Sequence, residues 1–70
     1  MPIIRVEMWE GRSVEQKRRL AREVTALVAG IIDCDPANVR VLIDEYARDD
    51  WAVGGVLQSD REAPPSDVPG

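Results

Sequence analysis

Residues 13–32, SVEQKRRLAREVTALVAGII, carry the pattern on which the fold turns. Leu20, Val24, Leu27, Val28 and Ile31 recur at steps of three and four, which gathers them on one stripe of an amphipathic helix. Ser13 supplies an N-cap, Gln16 completes the capping-box spacing, and Glu15 falls in the first turn, where the helix dipole favours an acid. The spacing predicts a helix over 14–32, with Gly30 near its end and Asp33 to Pro36 stopping it. Lys17, Arg18, Arg19 and Arg22 read as its solvated face.

On either side of this helix the period changes from 3.6 to two. Upstream, residues 2–9, PIIRVEMW, alternate Ile4, Val6 and Met8 with Arg5 and Glu7, the pattern of a strand with one covered face. Downstream, residues 39–46, VRVLIDEY, are rich in β-branched residues and read as a second strand. Asp35-Pro36 between them reads as a short turn or single helical turn, with Pro36 in its first position. Strand, helix, strand makes a βαβ unit, so the two strands are expected to be parallel and the crossover right-handed. Arg48, Asp49 and Asp50 read as a charged loop, and Trp51 to Gly55, WAVGG, as a short strand or hairpin. The fold class expected is α+β: a βαβ domain over residues 1–58, then a polar, proline-containing tail over 59–70, mobile or lying as an arm on a neighbour.

A two-stranded sheet under one helix leaves its other face bare, with Ile3 and Leu42 wet in a monomer, and so small a sheet is not expected to be stable alone. The chain has 70 residues, too few to bury a comfortable core. Its single cysteine, Cys34, makes no internal disulfide, and without histidine a lone thiol is no recognisable zinc site. Oligomerisation remains, with sheets completed between subunits. A net charge of −4 argues against nucleic acid as a general partner. No apolar run approaches the ~18–20 residues that span a bilayer, and the N-terminus lacks the features of a signal peptide. A cytoplasmic protein without membrane partners is expected.

Without histidine the usual nucleophilic triads are excluded. Cys34 falls at a helix C-terminal turn, where the dipole opposes a thiolate. Asp44 and Glu45 are neighbours on a strand and point to opposite faces, so they make no acid/base pair. Pro2 is different. A small residue after the initiator allows Met1 to be trimmed, leaving a free secondary amine. An ordinary α-amine titrates at about 7.7–8.0; nearby cations and partial burial lower that value toward the range that suits a general base. From position 2 alone, a proline that merely starts an edge strand is the stronger reading.

The wider pattern shifts the balance. Pro2-Ile3, Glu10-Gly11-Arg12-Ser13, Glu15-Gln16-Lys17, Val39-Arg40-Val41 and Val53-Gly54-Gly55, in that order and spacing, resemble the 4-oxalocrotonate tautomerase family from Pro2 to Gly55. The resemblance implies a βαβ fold assembled as a hexamer, a trimer of dimers, with the amino-terminal proline as catalytic base. Onto this chain it carries Pro2 as the base, Arg12 and Arg40 as the two arginines that bind substrate and stabilise charge, and Trp51 as the pocket aromatic. It implies pockets shared between subunits, with neither cofactor nor metal. Trp51 is bulkier than the phenylalanine usual in the family, Ala52 stands where glycine is common, and the chain from Val56 onward departs from the basic end of the typical enzyme.

These residue types suit the chemistry. Moving a proton between carbons of an enol or ketone conjugated with an acid passes through a dienolate. Fixed guanidinium groups stabilise its oxygen by charge-assisted hydrogen bonds, one can hold a remote carboxylate, and an aromatic wall excludes water. The activity implied is conversion of a 2-hydroxy-dienoate, a small anionic unsaturated acid, to a conjugated 2-oxo-enoate, as in aromatic-compound catabolism. The alternatives are a 3-haloacrylate dehalogenase-like enzyme, a relative serving a biosynthetic pathway, and a non-catalytic subunit of a mixed hexamer. The dehalogenases, by the same resemblance, carry a water-activating glutamate two positions after the pocket aromatic, where this chain has Val53.

Overall fold

A computed structural model describes residues 1–62; the rest of the polar tail, 63–70, lies outside the described residues. The long helix, α1 (Val14–Ile32), has the bounds that its periodicity predicts. Its capping box is closed in both directions: the Gln16 N–H donates to Ser13 Oγ at 3.1 Å, and the Ser13 N–H donates to Gln16 Oε1 at 2.8 Å. At the other end Asp33 adopts a left-handed conformation, φ 56°, and the Cys34 N–H turns back to the Ala29 carbonyl at 3.1 Å. The stop is therefore a left-handed cap made by an aspartate, a residue type that tolerates positive φ better than most.

Strands β1 (Ile3–Trp9) and β2 (Arg40–Tyr46) pair in parallel, from Ile3 opposite Arg40 to Trp9 opposite Tyr46. The turn between α1 and β2 is a short 3-10 segment, Pro36–Asn38, capped by Asp35, whose Oδ1 accepts from the Ala37 N–H at 3.0 Å. Past β2, residues Arg48–Asp50 form a second 3-10 turn where the sequence suggested only a charged loop. Strands β3 (Ala52–Val53) and β4 (Val56–Leu57) make the expected hairpin. Its two central residues, Gly54 and Gly55, have φ of 62° and 83°, the doubly positive pair that a tight hairpin turn requires and that glycine adopts without strain. A short helix, α2 (Gln58–Glu62), follows, starting at residue 58 and running into the stretch read as tail from residue 59.

Paired residues of parallel strands share a face, so Ile4, Val6 and Met8 line up with Val41 and Ile43 toward α1. Glu45 belongs to this face and pairs with Lys17 of the helix at 2.5 Å, each side chain 29% exposed. Lys17 thus clips helix to sheet and leaves the solvated cluster in which the sequence placed it, whereas Arg18 and Arg19 stay exposed and pair along the helix with Glu15 and Glu23. Coverage is thin. Ala29 is the one buried hydrophobic residue among those described, and Ile3 and Leu42, on the opposite sheet face, are exposed as expected.

The helix stripe itself divides. Leu20, Val24 and Val28 are half-buried, but Leu27 and Ile31 are 63% and 73% exposed. Two strands about 4.8 Å apart make a platform narrower than the apolar arc of the helix, so its flank overhangs the sheet edge.

Candidate functional site

The four candidate residues fall at opposite ends of the strand pair. At the start of β1, the Pro2 carbonyl accepts a hydrogen bond from the Arg40 N–H at 3.0 Å, which sets these two residues side by side. Pro2 is half-buried and Arg40 exposed. Met1 precedes them, and its ammonium donates to the Asn38 carbonyl at 2.9 Å. While Met1 is attached, the Pro2 nitrogen is an amide and has no basicity.

Arg12 and Trp51 lie at the far end. The seven residues of β1 carry the chain roughly 23 Å at about 3.3 Å per residue. Beyond them the chain turns at Gly11, φ 116°, into Arg12. Glu10 anchors this turn, its N–H donating to the Tyr46 carbonyl at 2.8 Å. Arg12 is exposed and borders a groove of about 300 Å³ between helix and sheet, lined also by Val6, Met8, Gln16, Lys17 and Leu20. This lining combines apolar walls with two cations.

Trp51 is the centre of an aromatic cluster that the sequence reading did not assemble. Its ring meets Trp9 edge-on with centroids 5.7 Å apart and planes at 78°, and meets Tyr46 at 5.7 Å and 66°. The guanidinium of Arg48 lies over the Trp9 ring, 4.9 Å from its centroid, a contact worth about 0.5–1 kcal/mol near a surface. Trp9 and Tyr46 close the two strands in register, and that shared strand-end position was the signal available in the sequence. The partnership of Arg48 depends on the 3-10 turn, which local pattern did not disclose.

On the open sheet face Arg5 pairs with Asp44 at 3.4 Å, and the Tyr46 hydroxyl approaches Glu7 Oε1 at 3.4 Å. The negative charge of Glu7, then burial and the charge of Asp44, raise the Tyr46 pKa above its ordinary value, against the lowering influence of Arg5. Among the described residues no group of three or more Cys, Asp or Glu side chains is placed to hold a metal ion, and no helix is long and apolar enough to cross a membrane.

A βαβ unit with two parallel strands, one long helix and a short C-terminal hairpin is the fold of the tautomerases. A family model described as "Tautomerase enzyme" matches residues 2–61, and the chain belongs to this family, a family of isomerase-type enzymes. It is 43% identical over 61 residues to a probable tautomerase of Halalkalibacterium halodurans, covering 87% of this chain and all of that one. Among solved structures it is similar to the heterohexameric 4-oxalocrotonate tautomerase of Chloroflexus aurantiacus J-10-fl, with a TM-score of 0.80 and 42% identity over 86% of this chain and 97% of the other. It is also similar to a 4-oxalocrotonate tautomerase homologue of the tomaymycin biosynthetic pathway, with a TM-score of 0.86 and 34% identity over 91% and 98%.

Proposed function

We propose that the mature chain is a keto–enol tautomerase for a 2-hydroxy-dienoate, with the Pro2 amine as general base. Removal of Met1 frees the nitrogen. Cations nearby favour its neutral form, and the neutral amine takes a proton from the substrate hydroxyl and returns one to a carbon of the conjugated system. Arg12 and Arg40 stabilise the dienolate oxygen and hold the carboxylate. Trp51 walls the pocket and keeps water out. The reaction needs neither metal nor cofactor.

The observation that supports this reading is the separation of the candidates, Pro2 and Arg40 at one strand end, Arg12 and Trp51 beyond the other, where Arg12 borders the helix-side groove and Trp51 packs on Trp9 and Tyr46. A strand length separates them within one protomer, so they act on one substrate only if subunits are apposed. The exposed Ile3, Leu42, Leu27 and Ile31 supply apolar surface for that apposition. The assembly proposed is a homohexamer, a trimer of dimers, acting in the cytoplasm, with the βαβ domain running to residue 58. The test is ketonisation of 2-hydroxymuconate by protein whose N-terminus has been verified as Pro2. Absence of turnover by that processed form would exclude the assignment for this substrate class.

A further inference from the structure

We propose that Arg48 is the positioning residue of the strand end that carries Arg12 and Trp51; this rests on the tautomerase reading of those two residues. Its guanidinium reaches three elements at once. Nη1 donates to the Glu10 carbonyl at 2.6 Å, Nε pairs with Glu62 of α2 at 3.5 Å, and Cζ lies over the Trp9 ring, 4.9 Å from its centroid. Each contact bears on a candidate site residue through one or two intermediates. Glu10 is the last fixed point before Gly11 turns the chain into Arg12. Trp9 is the ring against which Trp51 packs. Glu62 accepts from Gln58 Nε2 at 2.8 Å, and the Gln58 N–H donates to the Trp51 carbonyl at 2.7 Å.

The Trp9 indole N–H finds no acceptor among the described residues, so the Arg48 cation over its ring and the edge-on contact with Trp51 hold its orientation. Only a cation with several fixed donors can lie over an indole, reach a carbonyl and pair with a carboxylate together; an ammonium meets one or two of these demands. The contacts of Arg48 are with Glu10, Glu62 and Trp9, none of them a candidate site residue. Arg48 acts through Arg12 and Trp51, where a small misplacement of a charge-stabilising group is amplified in rate.

The experiment compares Arg48→Ala and Arg48→Lys with the processed parent by kinetics, near-ultraviolet circular dichroism and thermal unfolding. Trp9 and Trp51 are the only tryptophans in the chain, so the aromatic dichroism reports their edge-on contact. The expected result for Arg48→Ala is a folded protein with an altered indole signal and a loss of about ten- to a hundredfold in kcat/KM. Arg48→Lys keeps the charge and is expected to restore less than half of either. In an Arg12→Ala background, Arg48→Ala is expected to cost less than in the parent, because only the path through Trp51 remains. An unchanged indole signal in folded Arg48→Ala overturns the proposal whether or not the parent turns over the chosen acid. Full rescue by lysine, or losses that multiply in the double variant, overturns it equally. A parent without tautomerase activity but with the Arg48-dependent indole signal would sink the functional reading and leave the positioning role standing.

Discussion

The Arg40 N–H and the Pro2 carbonyl are joined at 3.0 Å, while the other candidate arginine, Arg12, lies beyond the opposite end of the same strand. This places the two arginines too far apart to meet one small substrate from a single chain. On the proposed mechanism loss of either removes a donor to the developing oxyanion, and Arg12→Ala and Arg40→Ala are each expected to lose at least ~100-fold in kcat/KM, about 3 kcal/mol. If one arginine mainly holds the remote carboxylate, its loss appears in KM. The separation adds a sharper expectation. Inactive Arg12→Ala and Arg40→Ala chains, unfolded together and refolded as a mixture, should regain roughly a quarter of the parent activity, because random apposition rebuilds that share of sites with both halves intact. A mixture no more active than its components would contradict a shared site.

Assembly is testable on the overhanging helix flank. Ile31 is 73% exposed and Leu27 63%. Leu27→Glu and Ile31→Glu place a charge where apolar surface needs cover, and burying an unpaired carboxylate is costly. Sedimentation is expected to show smaller species with lower thermal stability. A parent that remains a stable folded monomer at micromolar concentration would defeat both the hexamer and the composite pocket.

The βαβ frame was legible because its signals are local: the stripe and capping box of α1, the alternation in β1, and the Gly54-Gly55 pair. The division of the helix stripe was not, because periodicity says which residues share a side but not how wide the opposing sheet is. Leu27 and Ile31 look no different in sequence from Val24 and Val28. Lys17 was hidden for a similar reason: its partner, Glu45, is 28 residues away and meets it only through the parallel register. Of the candidate site, Pro2, Arg12, Arg40 and Trp51 were readable as a pattern, whereas Trp9, Tyr46 and Arg48 join Trp51 only once the strand ends and the 3-10 turn are in place.

Trp51 separates a pocket role from a packing role. Its ring touches both Trp9 and Tyr46, so truncation to alanine removes two aromatic contacts of about 0.5–1.5 kcal/mol each together with the proposed pocket wall. Trp51→Phe is expected to be mild in both activity and stability. Trp51→Ala is expected to reduce kcat/KM more than it lowers the melting temperature. Unchanged kinetics with a large loss of stability would assign Trp51 to packing alone.

Tyr46 gives a pH-dependent signature. Its pKa is raised, chiefly by Glu7, so the folded state holds the phenolic proton more tightly than the unfolded chain does. That contribution to stability is fully present below the ordinary value of about 10 and is lost as pH rises through the higher folded value. The chain has one tyrosine, so phenolate absorbance reports this group alone. Glu7→Gln is expected to shift the absorbance titration to lower pH. A titration that does not move would show that Glu7 is not the cause.

The N-terminus provides the most discriminating test. With Met1 in place the Pro2 nitrogen is an amide, and the Met1 ammonium is held on the Asn38 carbonyl at 2.9 Å, one residue ahead of the proline. An amine at Met1 therefore cannot stand in for the amine at Pro2: it is displaced along the chain and tied to a different partner. Removing Met1 leaves the Pro2 carbonyl still bonded to Arg40, so the new secondary amine forms beside a fixed strand arginine. Processing is thus expected to switch activity on without rearranging β1. Mass spectrometry of the N-terminus, paired with kinetics on processed protein and on protein with one residue retained ahead of Pro2, checks this. The extended form is expected to lose at least ~100-fold in kcat/KM, the low end of what a positioned base contributes. Pro2→Ala, processed to a free primary amine, is expected to keep part of the activity because a weaker and more mobile base remains. Equal activity in the processed and extended forms would mean that the base lies elsewhere in the chain.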